Sequence, residues 1–385
     1  MPYKQENHNQ KLSEITSKEE LKTSIIKPYL NILKNLENIY IFGAKRQGKK
    51  YYNYFIKNKI EVKGFIDNDI SKQGKDFCGI KIHSVDELLN NKDNITVIIA
   101  SANYLPDIYQ QLKNLGFSKI IPYPVLSIFN EVMFPPEPFF KDLLSDITTN
   151  KSKYMSLYSI FKDEKSKKVL DNLINYRLTL DSSCLEEVFE NNNDEYFDPY
   201  ILFLDGNEVF IDGGGYNGDT VKKFINKSDQ KYNKILYFEP DKELFSIAEE
   251  NLAEYKNITF IDKGLYSDET TLKFSSTGEL DGCIDPEGNI EIHTTTIDKI
   301  SEDKITFIKL DLEGSEYEAI KGAENQISSN SPKLAIAVYH KVQDLWEIPE
   351  LISSINPDYT FYLRHYSRVI FDTILYAIPK TKGIK

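Results

Sequence analysis

The sequence predicts an α/β protein with two domains, each built around a mostly parallel β-sheet. Short apolar runs alternate with helix-like stretches in two separate regions, 38–124 and 208–377, and this alternation is typical of parallel sheets covered by helices. In each region the first apolar run leads directly into a glycine-containing turn and then a helix-like stretch. A chain of 385 residues is long enough for two such domains.

The composition limits the partners and the compartment that we expect. With a net charge of −12 the chain lacks the basic footprint of a nucleic-acid-binding protein. Its three cysteines, Cys78, Cys184 and Cys283, are too far apart for a CxxC metal site and argue against a disulfide framework. The N-terminus is polar, and no apolar run reaches the length of a membrane span. We therefore expect a cytoplasmic protein without membrane insertion, and we leave oligomer formation open.

The first domain is predicted at 38–130, after a polar tail and an amphipathic helix at 1–37. A buried strand at Asn38–Phe42 precedes the turn that starts at Gly43, and a second strand ends at Asp67, 24 positions after that glycine. A dinucleotide-binding fold places its ribose-binding carboxylate at about this distance. We interpret this region as a Rossmann-like domain of the nucleotide-binding type.

The glycine pattern of this first turn is incomplete. Its spacing is G-x-x-x-x-G with Ala44 and Lys45 inside the usual G-x-G, which disfavours bound NAD and an NAD-dependent oxidoreductase. Lys45 and Arg46 either hold a phosphate or are solvated loop charges. The segments Ile41–Gly48 and Gly64–Asp69 resemble those of the small Rossmann-like domain that precedes bacterial sugar-modifying enzymes. In such domains the first turn can hold a nucleotide-sugar.

Residues 131–205 are predicted to form a mostly helical connector. Three prolines interrupt its start, and a helix-like stretch follows from Phe139 to Phe189. The connector is either a set of surface helices or a lid over the site of the second domain.

The second domain is predicted at 206–385 and begins with a glycine-rich turn. A strand at Val209–Ile211 ends in Asp212, three glycines follow at 213–215, and a helix-like run begins at Val221. Glycines let the backbone approach a ligand closely, and a helix N-terminus offers free N–H groups. The turn therefore predicts a nucleotide-like ligand, with an ordinary strand-to-helix turn as the alternative.

Polar residues follow the later strands of this domain at the ends where parallel strands place their ligands. Glu239 ends the second strand, and its two oxygens match the hydroxyls of a ribose. The last two strands, Tyr359–Arg364 and Val369–Ala377, are predicted to form an antiparallel hairpin at the sheet edge. We expect one pocket to collect the strand-end residues, which are Asp212, Glu239, Asp262, Asp311, Glu313 and His340.

Four motifs in this domain resemble the FkbM-type family of S-adenosylmethionine-dependent methyltransferases over about 200–378. They are Val209–Thr220, Phe238–Asp241, Phe307–Glu316 and Leu334–His340. The resemblance implies the class I methyltransferase fold, with seven strands and a final antiparallel one. It also implies O-methylation, often of sugars in surface polysaccharides or of natural products.

The resemblance also implies roles for individual residues. The glycine turn would line the methionine end of the cofactor, Glu239 would bind its ribose, and Asp262 would lie near its adenine. Asp311, Glu313 and His340 would face the methyl group and the acceptor. The full set assigned to the cofactor is Asp212, Gly213, Gly214, Gly215, Asn217, Glu239, Asp262, Lys263, Gly264 and Asp311.

A sugar hydroxyl is a poor nucleophile, so a positioned base is expected. His340 is the first candidate because imidazole titrates near neutral pH, and Asp311 is the second. A divalent metal on Asp311, Glu313 and Glu316 is a third option that is not favoured.

The segment that joins the last two strands leaves a second question open. Arg364, His365 and Arg368 either hold an anionic substrate or belong to an ordinary polar turn. The expected function is O-methylation of a carbohydrate or nucleotide-sugar acceptor. The alternative is a nucleotide-sugar-binding or scaffold protein whose methyltransferase domain is idle.

Overall fold

The computed structural model describes residues 5–191, 193–275, 283–284, 288, 290–300 and 303–380. Its first sheet has six strands in the order β3-β4-β2-β1-β5-β6. These strands are β1 Ile39–Phe42, β2 Val62–Ile66, β3 Asp76–Phe77, β4 Ile80–His83, β5 Thr96–Ile99 and β6 Ile120–Pro122. The helices of this part are α1 Gln5–Glu14, α2 Lys18–Ile26, α3 Leu30–Leu33, α4 Arg46–Lys57 and α5 Leu105–Asn114.

Strand β1 pairs in parallel with β2 and β5, as the alternation of apolar runs predicts. The turn at Gly43 follows β1, and Asp67 follows β2. Here Asp67 Oδ2 accepts a hydrogen bond from the Ala44 amide at 3.0 Å and lies 2.9 Å from Lys72 Nζ. The carboxylate at the second strand end is thus bound to the first turn of its own domain.

The second large sheet has seven strands in the order β16-β17-β15-β14-β7-β8-β9. The strands of the second domain are β7 Val209–Gly213, β8 Lys234–Phe238, β9 Ile258–Ile261, β10 Gly264–Leu265, β11 Thr271–Ser275, β12 Cys283–Ile284, β13 Ile290–Thr295, β14 Phe307–Leu310, β15 Lys333–Ala337, β16 Tyr359–His365 and β17 Thr373–Pro379. Strands β16 and β17 pair antiparallel, and β17 pairs antiparallel with β15. The predicted α/β fold with a seven-stranded, mostly parallel sheet and an antiparallel edge hairpin is confirmed.

A smaller sheet lies in the segment between β9 and β14. It has four strands in the order β10-β13-β11-β12, and β11 pairs antiparallel with β12 and β13. This segment therefore forms a mostly antiparallel insert, part of which lies outside the described residues.

Helices cover both faces of the large sheets. Helix α6 Tyr123–Phe129 ends the first domain, and the helices in the described part of the connector are α7 Leu143–Thr149, α8 Lys151–Ile160, α9 Glu164–Thr179 and α10 Ser183–Glu186. In the second domain they are α11 Asp219–Lys227, α12 Lys242–Leu252, α13 Ile297–Ile300, α14 Glu316–Lys321, α15 Glu324–Asn330 and α16 Asp344–Ile355. None of the helices among the described residues is long and apolar enough to cross a membrane.

The connector packs directly on the second domain. Helix α9 lies against β16, and single β-bridges join Phe161 to Phe361 and Phe189 to His365. One continuous cluster of buried apolar side chains contains residues of the first sheet, the connector and one face of the second sheet. The packing therefore holds the three parts together, and it places the end of the connector beside the strand ends of the second domain.

Candidate functional site

The site lies at the carboxyl ends of four adjacent strands, β8, β7, β14 and β15. The strand order runs outward from β7 to β8 on one side and from β14 to β15 on the other, so a crevice opens between β7 and β14. Asp212, Glu239, Asp311 and His340 are placed at or just after these four ends. The structure thus places four of the six predicted strand-end residues at adjacent strand ends, whereas Asp262 follows the edge strand β9.

The glycines of the turn after β7 are required by contacts within the protein. Gly214 has φ +70°, and a Cβ on it would lie 1.8 Å from the backbone oxygen of Asp311. A Cβ on Gly215 would lie 2.0 Å from Tyr237 Cε2. The amides of both glycines donate to the Phe238 carbonyl, at 3.1 and 3.0 Å. The neighbouring strands therefore already exclude side chains at Gly214 and Gly215. Close approach of a ligand is not needed to explain these glycines.

A buried ion pair holds this turn in place. Lys309 Nζ, on β14, lies 3.1 Å from Asp212 Oδ1, and both side chains are almost fully buried. The same ammonium donates to the carbonyl oxygens of Gly213 and Gly214, at 3.1 and 2.7 Å. Burial raises the pKa of Asp212 to about 6 against the opposing effect of Lys309. Asp212 thus acts on the turn through Lys309. The sequence analysis assigns no role to Lys309, although a lysine within an apolar strand is a recognisable signal.

Glu239 is fixed by two backbone amides at the entrance to the crevice. Its Oε2 accepts from Tyr216 at 3.0 Å and its Oε1 from Asp241 at 2.9 Å. Burial raises the pKa of this carboxyl group to about 7. Each carboxylate oxygen keeps further acceptor capacity for a hydroxyl group.

The remaining residues predicted to bind the cofactor lie around this position. Asn217 Oδ1 accepts from the Asp219 amide at 3.1 Å and so caps the start of α11. Asp262 is exposed and Lys263 half-buried in the short link between β9 and β10, and Gly264 pairs with Thr294. The link follows β9, the outermost strand on this side of the sheet.

A histidine surrounded by carboxylates occupies the other side of the crevice. His340 Nδ1 lies 2.9 Å from Glu316 Oε1, and His340 Nε2 lies 3.4 Å from both Asp311 Oδ1 and Glu313 Oε2. Glu316 is fully buried at the start of α14 and also accepts from the Leu312 amide at 2.6 Å. We call these four residues the acid–histidine cluster.

The charges in this cluster argue against His340 as the general base that removes the proton of the acceptor. Burial alone would lower the pKa of His340, but Glu316, followed by Asp311 and Glu313, raises it to about 10. The imidazole is therefore protonated at neutral pH and has no free lone pair for a substrate proton. Desolvation, followed by repulsion from Asp311, raises the pKa of Glu313 to about 8 despite the opposing effect of His340.

The metal ligands predicted from the sequence also need a correction. Ligand atoms of Asp311, Glu316 and His340 lie within 4.8 Å of one another, whereas Glu313 is not part of this group. The close group therefore contains an imidazole in place of the third carboxylate that the sequence suggested. Only the spatial arrangement of β15 beside β14 could show this.

The end of the connector closes the crevice above Asp311. The Tyr196 hydroxyl donates to Asp311 Oδ2 at 2.8 Å, and the Tyr339 hydroxyl lies 3.4 Å from Oδ1. The Phe139 ring lies 6.4 Å from that of His340, measured between centroids. The connector thus places Tyr196 and Phe139 beside Asp311 and His340, and its role as a lid stays a prediction. Sequence patterns do not indicate Tyr196, because it is separated from Asp311 by more than a hundred residues.

Arg364, His365 and Arg368 do not offer free groups to a substrate. Arg364 is buried, and its guanidinium lies 2.7 Å from Asp163 and 3.0 Å from Asp198. His365 is fully buried, with Nδ1 2.9 Å from the Thr373 hydroxyl. Arg368 forms ion pairs with Asp107 and Glu186. Of the two alternatives for this segment, the structural one fits these contacts.

Comparisons with known proteins were consistent with this site. Residues 212–363 match the family model of the methyltransferase FkbM domain, and residues 35–121 match that of the C2185-like N-terminal domain. No curated protein matches the chain significantly.

Solved structures add a likeness over nearly the whole chain. Methyltransferase FkbM from Methylobacillus flagellatus KT has a TM-score of 0.78 and 24% identity, over 97% of this chain and 98% of its own. This match shows that both domains share their fold with that protein.

Two other structures cover only about half of the chain. An rRNA methylase from Streptococcus thermophilus has a TM-score of 0.31 and 13% identity, over 53% of this chain and 95% of its own. A candidate rRNA methylase from Clostridium thermocellum has a TM-score of 0.32 and 8% identity, over 53% of this chain and 96% of its own. Neither is similar enough to support an argument about function. The family match at 212–363 agrees with the resemblance seen in the motifs, because this part of the chain matches a methyltransferase FkbM domain.

Proposed function

We propose that this protein is an S-adenosylmethionine-dependent O-methyltransferase that acts on a sugar hydroxyl of a bacterial surface polysaccharide or its precursor. The observation that carries the proposal is the crevice between β7 and β14, which has Glu239 on one side and the acid–histidine cluster on the other. A carboxylate that could bind a diol and a cluster of ionisable groups thus lie at neighbouring strand ends, which supports the proposal. The family match at 212–363 supports methyl transfer as the reaction.

The charge of the crevice suits a cationic cofactor. Burial, followed by repulsion between neighbouring carboxylates, raises the pKa values of Glu195 to about 8 and of Asp372 to about 6. Both side chains interact with Asp311 at the same strand end. S-adenosylmethionine carries a sulfonium and an ammonium group. A cation placed among these carboxyl groups would stabilise their ionised forms, because opposite charges attract strongly in a partly desolvated site.

Each part of the cofactor has a place in this arrangement. Glu239 would accept the two ribose hydroxyls, with its orientation fixed by the amides of Tyr216 and Asp241. The methionine end would lie along the turn that Lys309 and Asp212 hold in place. Asp212 is fully buried behind that turn, so we propose that it positions the cofactor without touching it.

Methyl transfer itself would be an in-line displacement. The acceptor oxygen forms a bond to the methyl carbon, the bond from that carbon to sulfur breaks, and S-adenosylhomocysteine leaves as a neutral thioether. Holding the oxygen close to the methyl carbon supplies much of the rate. We propose that Glu313 accepts the hydroxyl proton, because its carboxylate is accessible and its pKa lies near 8. The His340 imidazolium would stabilise the carboxylates beside it, and Asp311 would orient the acceptor.

Calorimetry with S-adenosylhomocysteine tests the cofactor part of this proposal. The wild-type protein should bind it, and Glu239→Ala should lose most of the affinity because the ribose loses its acceptor. Glu243→Ala is the matched control, since this exposed glutamate lies four residues further along the chain. Absent binding in the wild type, or equal binding in both variants, would overturn the cofactor assignment.

The acceptor class is tested by transfer of labelled methyl groups. Wild-type protein with labelled S-adenosylmethionine should label a nucleotide-sugar or an oligosaccharide from a panel. Glu313→Gln should retain cofactor affinity and lose turnover. Turnover unchanged by Glu313→Gln would reject the proposed base, and a panel without labelled carbohydrate would reject the proposed acceptor.

A further inference from the structure

We infer that Asp311, Glu316 and His340 form a binding site for one divalent metal ion, with the chemistry that Mn²⁺ prefers. Each residue offers one ligand atom, and these atoms all lie within 4.8 Å of one another. Two ligands on opposite sides of one ion are separated by roughly 4.2 Å, twice a typical bond of about 2.1 Å. Glu316 contacts Nδ1 of His340 and Asp311 contacts Nε2. All three residues therefore reach one ion if it binds a single ring nitrogen and the carboxylate at the other nitrogen turns toward it.

Unpartnered buried atoms provide the second observation. His340 is 3% exposed, and neither of its ring nitrogens has an aligned hydrogen bond among the described residues. Glu316 is fully buried, and its Oε2 likewise has no hydrogen-bond partner there. Buried polar atoms are normally hydrogen-bonded, because an unsatisfied one costs free energy. The ring nitrogens of His340 contact carboxylates without aligned hydrogen bonds, and Glu316 Oε2 has no such contact among the described residues. An ion bound by both residues would satisfy these atoms and take the place of the proton at the imidazole.

The elements around the cluster leave one side open to the crevice. Asp311 is 26% exposed, while Glu316 and His340 lie behind it. An ion held by three protein ligands on one side keeps further positions for water or an acceptor oxygen. The ion site stands on this geometry and is independent of methyl transfer. If the proposed function also holds, the ion would bind the acceptor hydroxyl and lower its pKa, leaving Glu313 as the base.

The identity of the ligands indicates the class of ion. Imidazole suits transition metals, whereas carboxylates suit harder cations such as Mg²⁺ and Mn²⁺. One imidazole with two carboxylates satisfies Mn²⁺ in both respects. Mn²⁺ is also a practical probe, since its electron paramagnetic resonance signal falls when it binds to a protein.

The experiment measures Mn²⁺ binding to the full-length protein after treatment with a chelator and gel filtration. The wild type should bind one Mn²⁺ per chain, seen both by paramagnetic resonance and by calorimetry. Glu316→Gln and His340→Gln should each weaken binding by about tenfold or more, because each removes a ligand. Glu316→Gln keeps the oxygen that accepts from the Leu312 amide, so the variant should fold.

Two control variants separate this site from general attraction of cations. Glu313→Gln removes one negative charge beside His340 without removing a ligand, and His83→Gln removes a histidine paired with Glu87 in the first domain. Glu313→Gln should weaken Mn²⁺ binding less than either ligand variant, because it removes only a neighbouring charge, and His83→Gln should bind Mn²⁺ as the wild type does. No binding by the wild type, or an equal loss in Glu313→Gln and Glu316→Gln, would overturn the inference.

The outcome is distinguishable from that of the proposed function. Binding of S-adenosylhomocysteine without any Mn²⁺ site, together with methyl transfer in the presence of a chelator, would reject the ion and keep the methyltransferase. Mn²⁺ binding without cofactor binding would keep the ion site and reject the methyltransferase.

Discussion

At the residue scale, the buried pair of Lys309 and Asp212 shows how one contact connects stability to the site. The ammonium binds both the carboxylate and two carbonyl oxygens of the glycine turn. We predict that Lys309→Met lowers the free energy of unfolding by about 3–5 kcal/mol, because it leaves a buried carboxylate without its partner. Urea unfolding monitored by circular dichroism measures this loss.

The double variant Lys309→Met with Asp212→Asn controls for this explanation. It removes the stranded charge and should recover part of the lost stability. Lys63→Met is a second control, since Lys63 pairs with Glu61 on the surface and should matter little. Equal effects of Lys309→Met and Lys63→Met would contradict the importance of the buried pair.

The pH dependence of turnover is also decided by single residues. Glu313 must lose its proton to act as a base, so the rate should rise as the pH passes about 8. The His340 imidazolium is lost as the pH passes about 10, which should lower the rate again. Initial rates at saturating cofactor between pH 6 and pH 11 measure this profile. A rate that already reaches its maximum near pH 6 would exclude Glu313 as the base.

Single residues also show where reading the sequence reaches its limit. The acidic residues at strand ends were predictable because a parallel sheet places the ends of all its strands along one edge. The charge state of His340 was not, since it depends on carboxylates from a different strand and helix. The ion pairs of Arg364 were not predictable either, because its partners Asp163 and Asp198 are distant in sequence. Without them, Arg364 is a candidate for binding an anion.

At the element scale, the turn after β7 is set by the close approach of β8 and β14. We predict that Gly214→Ala destabilises the domain by about 1–3 kcal/mol or more, because its φ of +70° and its distance to Asp311 both exclude a Cβ. Gly264→Ala is the matched control, since the nearest atom to its added Cβ would lie 3.6 Å away. Thermal unfolding of both variants provides the comparison, and equal midpoints would contradict this account of the turn.

The elements that the sequence predicts best are the strands with long apolar runs. The strands β7, β8, β14 and β15 are almost entirely buried, so their sequences are mostly apolar and easy to recognise, with Asp212 and Lys309 as charged exceptions. The two-residue strand β3 and the short helix α6 were not expected. Strands and helices of this length carry too few residues for a periodic pattern, and tertiary contacts decide their conformation.

At the scale of the whole molecule, the connector packs together with both predicted domains around one apolar cluster. The proposed boundaries at 130 and 205 stay a prediction, because the buried apolar cluster runs through all three parts. A sequence shows which residues are apolar but not which element each of them faces. The packing of α9 on β16 could not be deduced from either segment alone.

This continuous core predicts cooperative unfolding of the entire chain. Trp346, the single tryptophan, lies on α16 in the second domain, and its Nε1 donates to Asp146 Oδ1 of α7 at 3.3 Å. Its fluorescence therefore reports on the contact between connector and second domain, whereas far-UV circular dichroism reports on all helices and strands. We predict that both signals change at the same urea concentration, as expected when one core unites the parts. Arg368→Ala should leave this coincidence intact because its ion pairs are exposed, and a fluorescence change at lower urea would show that the connector separates first.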